Sequence, residues 1–137
     1  DIKPGPLAVK PVIDVVREFG NPHNILLTGF HDGVRSELIR CNYQGPMGLG
    51  RDEAIRFLTA PRIFLKNRWP KGTRLQIPPR FGLVRIGTKR FIRKAHRIGL
   101  KVDYWTINDS ETAKKLVERG ADGIMSDDPG CVAMALR

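Results

Sequence analysis

The sequence is short of cysteine and of acidic residues, and it has no long apolar run. Its two cysteines, Cys41 and Cys131, make neither a CxxC pair nor a zinc-ligand pattern. They read as ordinary thiols, and one pair leaves the redox compartment open. No apolar stretch approaches the ~18 residues that would span a bilayer as a helix. The opening residues, Asp1–Pro6, lack the basic and apolar regions of a secretory leader. There is no low-complexity segment. Fourteen acidic residues against 24 basic ones leave a net charge of +10. That balance favours an anionic partner: nucleic acid, an anionic lipid surface or a phosphorylated substrate. Basic residues occur along the whole chain, and the densest run is Lys89–Arg97. That run keeps a helical apolar stripe, the mark of a solvated helix face. With no nucleic-acid motif beside it, a specific nucleic-acid partner is not expected; membrane contact stays open.

What is present is an alternation of short apolar strands with amphipathic helices. Strands are expected at about residues 1–3, 24–28, 73–77, 101–107 and 122–126. Between them, Val9, Val12, Ile13, Val16 and Phe19 recur at helical spacing before Gly20. Val34, Leu38 and Ile39 start a second helix, and Arg51–Leu58 makes a short third. Residues 62–71 suggest a surface excursion. Thr88 caps a helix with Phe91, Ile92, Ala95 and Ile98 on one face, ended by Gly99. Asp109 or Ser110 caps the next, with Ala113, Leu116 and Val117 inward and Gly120 as its end. A last helix begins near Val132.

Strands and helices alternating at this length imply βα units and a parallel sheet. Periodicity leaves two architectures, a doubly wound open sheet and part of a (β/α)8 barrel. The glycine-rich Gly45–Gly50 follows no clear strand and reads as a loop rather than a dinucleotide-binding turn. Polar residues at several strand ends (Lys3, Thr28, Gln76, Thr106 with Asn108, Ser126 with Asp127) suit the barrel, whose enzymes gather their site at that face. Lys3, Gln76, Trp105 and Asp127 should cluster at that rim, with His23 and His96 away from it.

The segment Ala95–Asn108 contains A-H-R-I-G, then an apolar strand, then W-T-I-N. Gly120–Pro129 reads G-A-D-G-I-M-S-D-D-P. Together these resemble the seventh- and eighth-strand signatures of the glycerophosphodiester phosphodiesterase family. More loosely, Leu75–Pro78 resembles a sixth-strand Q-x-P element, Thr28–Phe30 a fifth-strand element, and Asp1–Lys3 the fourth-strand E-I-K. The resemblance is specific over residues 95–129. It implies a single partial domain over residues 1–137, the C-terminal part of a TIM (β/α)8 barrel with about five βα units. The family's first-half motifs, H-R-G and E-x-D, are absent from this chain, and Asp1 stands where glutamate is usual.

By that resemblance the activity would be metal-dependent hydrolysis of glycerophosphodiesters, phospholipid-derived substrates, to an alcohol and glycerol phosphate. Such chemistry needs cations at the phosphoryl oxygens, an acid for the leaving alkoxide and a base for the nucleophile. The resemblance makes Asp1 a ligand of magnesium or calcium and Lys3 the catalytic charge at the phosphate. Phe30, Gln76 and Trp105 would bind substrate with Lys3. The acid and base histidines would lie outside the chain, in the missing N-terminal half of the barrel. None of His23, His31 and His96 matches a family position for that work. Asn108 reads chiefly as a helix cap and Asp127 as structural. The other function in play is a non-catalytic barrel fragment or interaction module for anionic partners.

Overall fold

The computed structural model describes residues 1–136, apart from the side chains of Asp32 and Arg62. Two compact units are present: Asp1–Arg68 with Gly72–Arg74, and Trp69–Lys71 with Leu75 onward.

In the first unit, Gly5 takes a φ of 97° between two prolines, and a 3₁₀ turn over Pro6–Ala8 leads into α1 (Val9–Phe19). Val9, Ile13 and Val16 follow one face of that helix and are buried with Ile2, Leu27, Val34, Leu38 and Tyr43. Phe19 continues the spacing but ends the helix and is exposed. Next come α2 (Asp32–Arg40) and α3 (Arg51–Thr59). The Glu53 side chain of α3 accepts from the Gly50 N–H at 3.2 Å, tying down the helix start. Gly29 permits a close approach: a Cβ there would lie 2.9 Å from the Ile2 carbonyl oxygen and from both Val34 methyls.

The strands expected at 1–3 and 24–28 are much reduced. Ile2 makes one hydrogen bond, its N–H donating to the Thr28 carbonyl at 2.8 Å, before the Pro4–Pro6 segment turns the chain. A 3₁₀ turn at Pro22–Asn24 consumes the start of the second, leaving Leu27 in an isolated parallel bridge with Met47. Conversely, the segment read as a loop takes a strand's place. Leu27 donates to Pro46 (3.1 Å) and accepts from Gly48 (3.0 Å); Arg74 donates to Met47 (3.0 Å) and accepts from Leu49 (2.8 Å). Bonds to residues flanking the partner are the parallel pattern. Pro46 is tolerated because it supplies only a carbonyl, so its missing N–H costs the ladder nothing.

The strand β1 (Arg74–Ile77) enters the second unit at Leu75. Its neighbour is β4 (Lys101–Tyr104), which pairs in parallel with β5 (Gly123–Ile124). Strand neighbours thus follow sequence order. Between β1 and β4 lie an antiparallel hairpin, β2 (Arg80–Phe81) with β3 (Val84–Arg85), and α4 (Lys89–His96). The hairpin was not expected; the surface excursion expected at 62–71 is also present, since most of that segment is exposed. It holds a 3₁₀ turn, Arg62–Leu65, and is pinned by the buried Leu65 and Trp69.

Helices α5 (Ser110–Glu118) and α6 (Pro129–Ala135) complete the unit. The Thr88 and Asp109 side chains accept from Phe91 N–H and Thr112 N–H, as their cap positions predict. Gly99 and Gly120 follow α4 and α5 at φ of 83° and 101°. Ile92, Ala95, Ala113 and Leu116 are buried, whereas Val117 is 42% exposed and does not face inward. The chain is a mixed α/β protein.

Candidate functional site

The first unit holds Asp1, Lys3 and Phe30. Asp1 and Lys3 flank the buried Ile2, and both are exposed. Phe30 is largely exposed, with the Arg51 guanidinium 5.6 Å from its ring centroid. His31 precedes α2 and His23 lies within the Pro22–Asn24 turn; both are exposed.

In the second unit, Leu75 and Ile77 of β1 are buried and Gln76 alternates to the other face. There its amide lies 3.5 Å from the carboxylate of Asp103, at the limit of a hydrogen bond. Asp103 is 4% exposed, a buried carboxylate in the middle of β4. The neighbouring strand makes room for it with Gly123, where a Cβ would stand 2.6 Å from Asp103 Oδ1. The sequence reading missed Asp103. The signal was a lone acid inside an apolar strand, between Val102 and Tyr104 and two residues before Trp105.

Trp105 follows β4 directly. Its N–H donates to the Ile77 carbonyl at 3.2 Å, so it stands beside the end of β1, and it is 38% exposed. On the opposite face of β4 the Tyr104 hydroxyl donates to the Ile86 carbonyl at 2.8 Å. Burial pushes that phenol far above its ordinary pKa, so it stays neutral.

The loops after β4 and β5 are joined through Asn108. Its side-chain oxygen accepts from Ser126 Oγ and from the Asp127 N–H, each at 3.0 Å, and its Nδ2 donates to the Asp127 carboxylate at 2.9 Å. Asn108 is therefore a tie between strand ends, and Asp109 is the cap of α5. Hydrogen bonding from Thr112 holds the Asp109 carboxyl below its ordinary pKa. Asp127 sits in that tie, while Asp128 caps α6 by accepting from Cys131 N–H at 3.1 Å.

His96 lies at the other end of these strands. Its Nε2 is 2.7 Å from Asp122 Oδ2, which also accepts from the Val102 N–H at 2.8 Å, where β4 begins and just before β5. Among the described residues no three His, Cys, Asp or Glu side chains gather as a metal site. Asp1 offers one carboxylate where magnesium or calcium takes about six to eight oxygens. The described residues therefore do not fit a divalent ion by themselves. Both cysteines are free thiols.

A profile of the "Glycerophosphoryl diester phosphodiesterase family" matches residues 52–131, more than half of the chain. The chain belongs to that family. It is 24% identical over 125 residues to the Mycobacterium tuberculosis (strain ATCC 25618 / H37Rv) protein described as "Probable glycerophosphodiester phosphodiesterase 2", covering 88% of this chain and 47% of that one. A crystal structure described as "Putative glycerophosphoryl diester phosphodiesterase" from Silicibacter pomeroyi DSS-3 superposes with a TM-score of 0.70 at 23% identity, covering 96% of this chain and 44% of the other. That likeness is one of fold. The chain spans less than half the length of both relatives.

Proposed function

We propose that this chain forms the C-terminal part of a (β/α)8 barrel, about five βα units, in a metal-dependent phosphodiesterase. The reaction would cleave glycerophosphodiesters to an alcohol and glycerol phosphate. The observation that carries this reading is the family match over residues 52–131, which includes W-T-I-N after β4 and S-D-D-P after β5. Barrel enzymes act at the ends of their strands, where Trp105 and the Asn108–Asp127 tie stand.

In this reading Lys3 is a fixed positive charge for the phosphoryl oxygens, where charge grows in the transition state. Trp105, with its indole part-exposed beside the end of β1, packs against the alcohol moiety. Gln76 offers a hydrogen-bonding amide, 3.5 Å from the Asp103 carboxylate, and Phe30 forms pocket wall. Asp1 would contribute one carboxylate to a magnesium or calcium ion, with the remaining ligands expected outside the chain. The acid and base also lie outside it, since His96 is engaged with Asp122 and none of the three histidines stands at a family position for that work.

The test is hydrolysis of a water-soluble glycerophosphodiester with magnesium or calcium. The 137-residue chain alone should be nearly inactive, because acid–base catalysis supplies about 10²–10⁴-fold. Adding the half-barrel that corresponds to the rest of the relatives, fused or mixed, should give metal-dependent turnover. In that assembly Lys3→Ala should lower kcat by about 10²–10³-fold, and His96→Ala should leave it unchanged. A reconstituted barrel without activity would favour the non-catalytic module; one indifferent to Lys3 would show that another residue carries the charge.

A further inference from the structure

The charge of +10 has one source. From Ala54 to Val102 there is no acidic residue, and this stretch holds 14 of the 24 lysines and arginines. The remaining 10 basic residues face all 14 acids, so the rest of the chain is net −4. The acid-free stretch includes the hairpin β2–β3, Arg80–Phe81–Gly82–Leu83–Val84–Arg85, and all six of its residues are exposed.

The hairpin is unusual in both of its cross-strand pairs. Phe81 pairs with Val84 across the turn, and the two are 57% and 60% exposed. Leu83, at the tip, is fully exposed. Such side chains normally find cover. At the base Arg80 pairs with Arg85, and like charges directly opposite each other destabilise a hairpin. Neither arginine has an acidic partner among the described residues. Just beyond the base, α4 begins with Lys89 and Arg90, both exposed, and has no acid in its first turn. An apolar tip above an unneutralised basic collar matches one kind of surface, in which hydrocarbon lies beneath a layer of negative charge.

We propose that the β2–β3 hairpin docks this protein on anionic phospholipid membranes. Phe81, Leu83 and Val84 enter the acyl boundary, and Arg80 and Arg85 meet the lipid phosphates. The hairpin geometry suits the task. The two-residue turn has Gly82 at a φ of 56° in its first central position, which matches the twist of short hairpins and projects Leu83 outward. Ile86 and Gly87 both donate to the Pro79 carbonyl, at 3.0 and 2.9 Å, so the base is clamped. A clamped hairpin loses less freedom on binding than a loose loop. The proposal adds a partner to the phosphodiesterase reading, and vesicle binding needs no turnover, so the two readings fail separately.

The experiment is co-sedimentation of the full chain with phosphatidylcholine vesicles, and with vesicles of phosphatidylcholine and phosphatidylglycerol in equal parts. Binding to the mixed vesicles and not to the neutral ones is expected. Arg80→Gln with Arg85→Gln should lower the partition coefficient about 30-fold, since each cation near an anionic surface is worth about fivefold. Phe81→Ser with Leu83→Ser should lower it at least as much. Lys10→Gln with Lys114→Gln removes the same charge from two exposed sites elsewhere and should cost less than about threefold. Leu83→Trp should show emission quenched by brominated acyl chains. Circular dichroism confirms folding of each variant. The proposal is overturned by failure to bind the mixed vesicles, by equal loss in the control pair, or by an unquenched Leu83→Trp. It is equally overturned if the tip instead drives self-association without lipid, or if a single-stranded oligonucleotide is bound where vesicles are not.

Discussion

Replacing Gly123 with alanine tests the most specific contact in the second unit. The added Cβ would sit 2.6 Å from Asp103 Oδ1 and 3.0 Å from its Cγ, well inside van der Waals contact. Gly123 is not among the glycines with positive φ, so backbone strain adds nothing and the cost is steric. Asp103 is 4% exposed and cannot swing its carboxylate into water. Overpacking of this kind costs about 1–3 kcal/mol. For a chain of this size each kcal/mol lowers Tm by roughly 3–5 °C, so a fall of roughly 3–15 °C is expected by circular dichroism. The diagnostic step is the double variant. Asp103→Ala removes the clashing atoms and leaves only its own Cβ, 3.5 Å away, in ordinary contact. By itself Asp103→Ala should destabilise, because the Gln76 amide loses its acceptor. Adding Gly123→Ala to Asp103→Ala should then cost little. The cycle should show a coupling of about 0.5–3 kcal/mol. Strict additivity in urea unfolding, or a Gly123→Ala variant as stable as the parent, would mean that the two residues are not held together as described.

Two further substitutions address helix starts. Thr88→Ala removes the side chain that accepts from Phe91 N–H and should cost about 1 kcal/mol in urea unfolding, more than Thr88→Asn. Asp109 has a folded pKa below its ordinary 3.8. Its contribution is therefore fully present above that value and is lost as pH falls through the lowered one. Asp109→Asn keeps an acceptor for Thr112 without the titration, so its stability should fall less steeply with acid below about pH 4; an unchanged slope would remove Asp109 from the acid response.

The second unit was more legible in the sequence than the first, for physical reasons. Thr88, Asp109, Gly99 and Gly120 act locally, through side-chain caps and left-handed φ, so their residue types announce α4 and α5. The strands at 74–77 and 101–104 alternate polar with apolar residues, Arg-Leu-Gln-Ile and Lys-Val-Asp-Tyr, a period that marks strands locally. Pro46–Leu49 was misread because its composition is that of a turn. Its pairing with Leu27 and Arg74 is decided by those distant segments. The hairpin was hidden by Pro78–Pro79, which seemed to end all regular structure before Thr88. For the candidate site, the motif exposed Trp105, Asn108 and Asp127, but not the role of Asn108, whose partners come from the next strand's loop. Gly123 was visible as a motif letter, whereas its reason, the Asp103 carboxylate, lies across the strand pair.

The two hydrogen bonds accepted by the Pro79 carbonyl have a consequence for how much the hairpin can vary. With Ile86 and Gly87 both fastened there, and Tyr104 holding the Ile86 carbonyl from β4, the two ends of the hairpin are set by residues outside it. What lies between can change in length and character while the chain still enters α4 from the same point. Substitutions and short insertions between those two anchors should therefore leave the rest of the unit folded. In the laboratory, the same six positions are a natural graft point for a foreign recognition peptide.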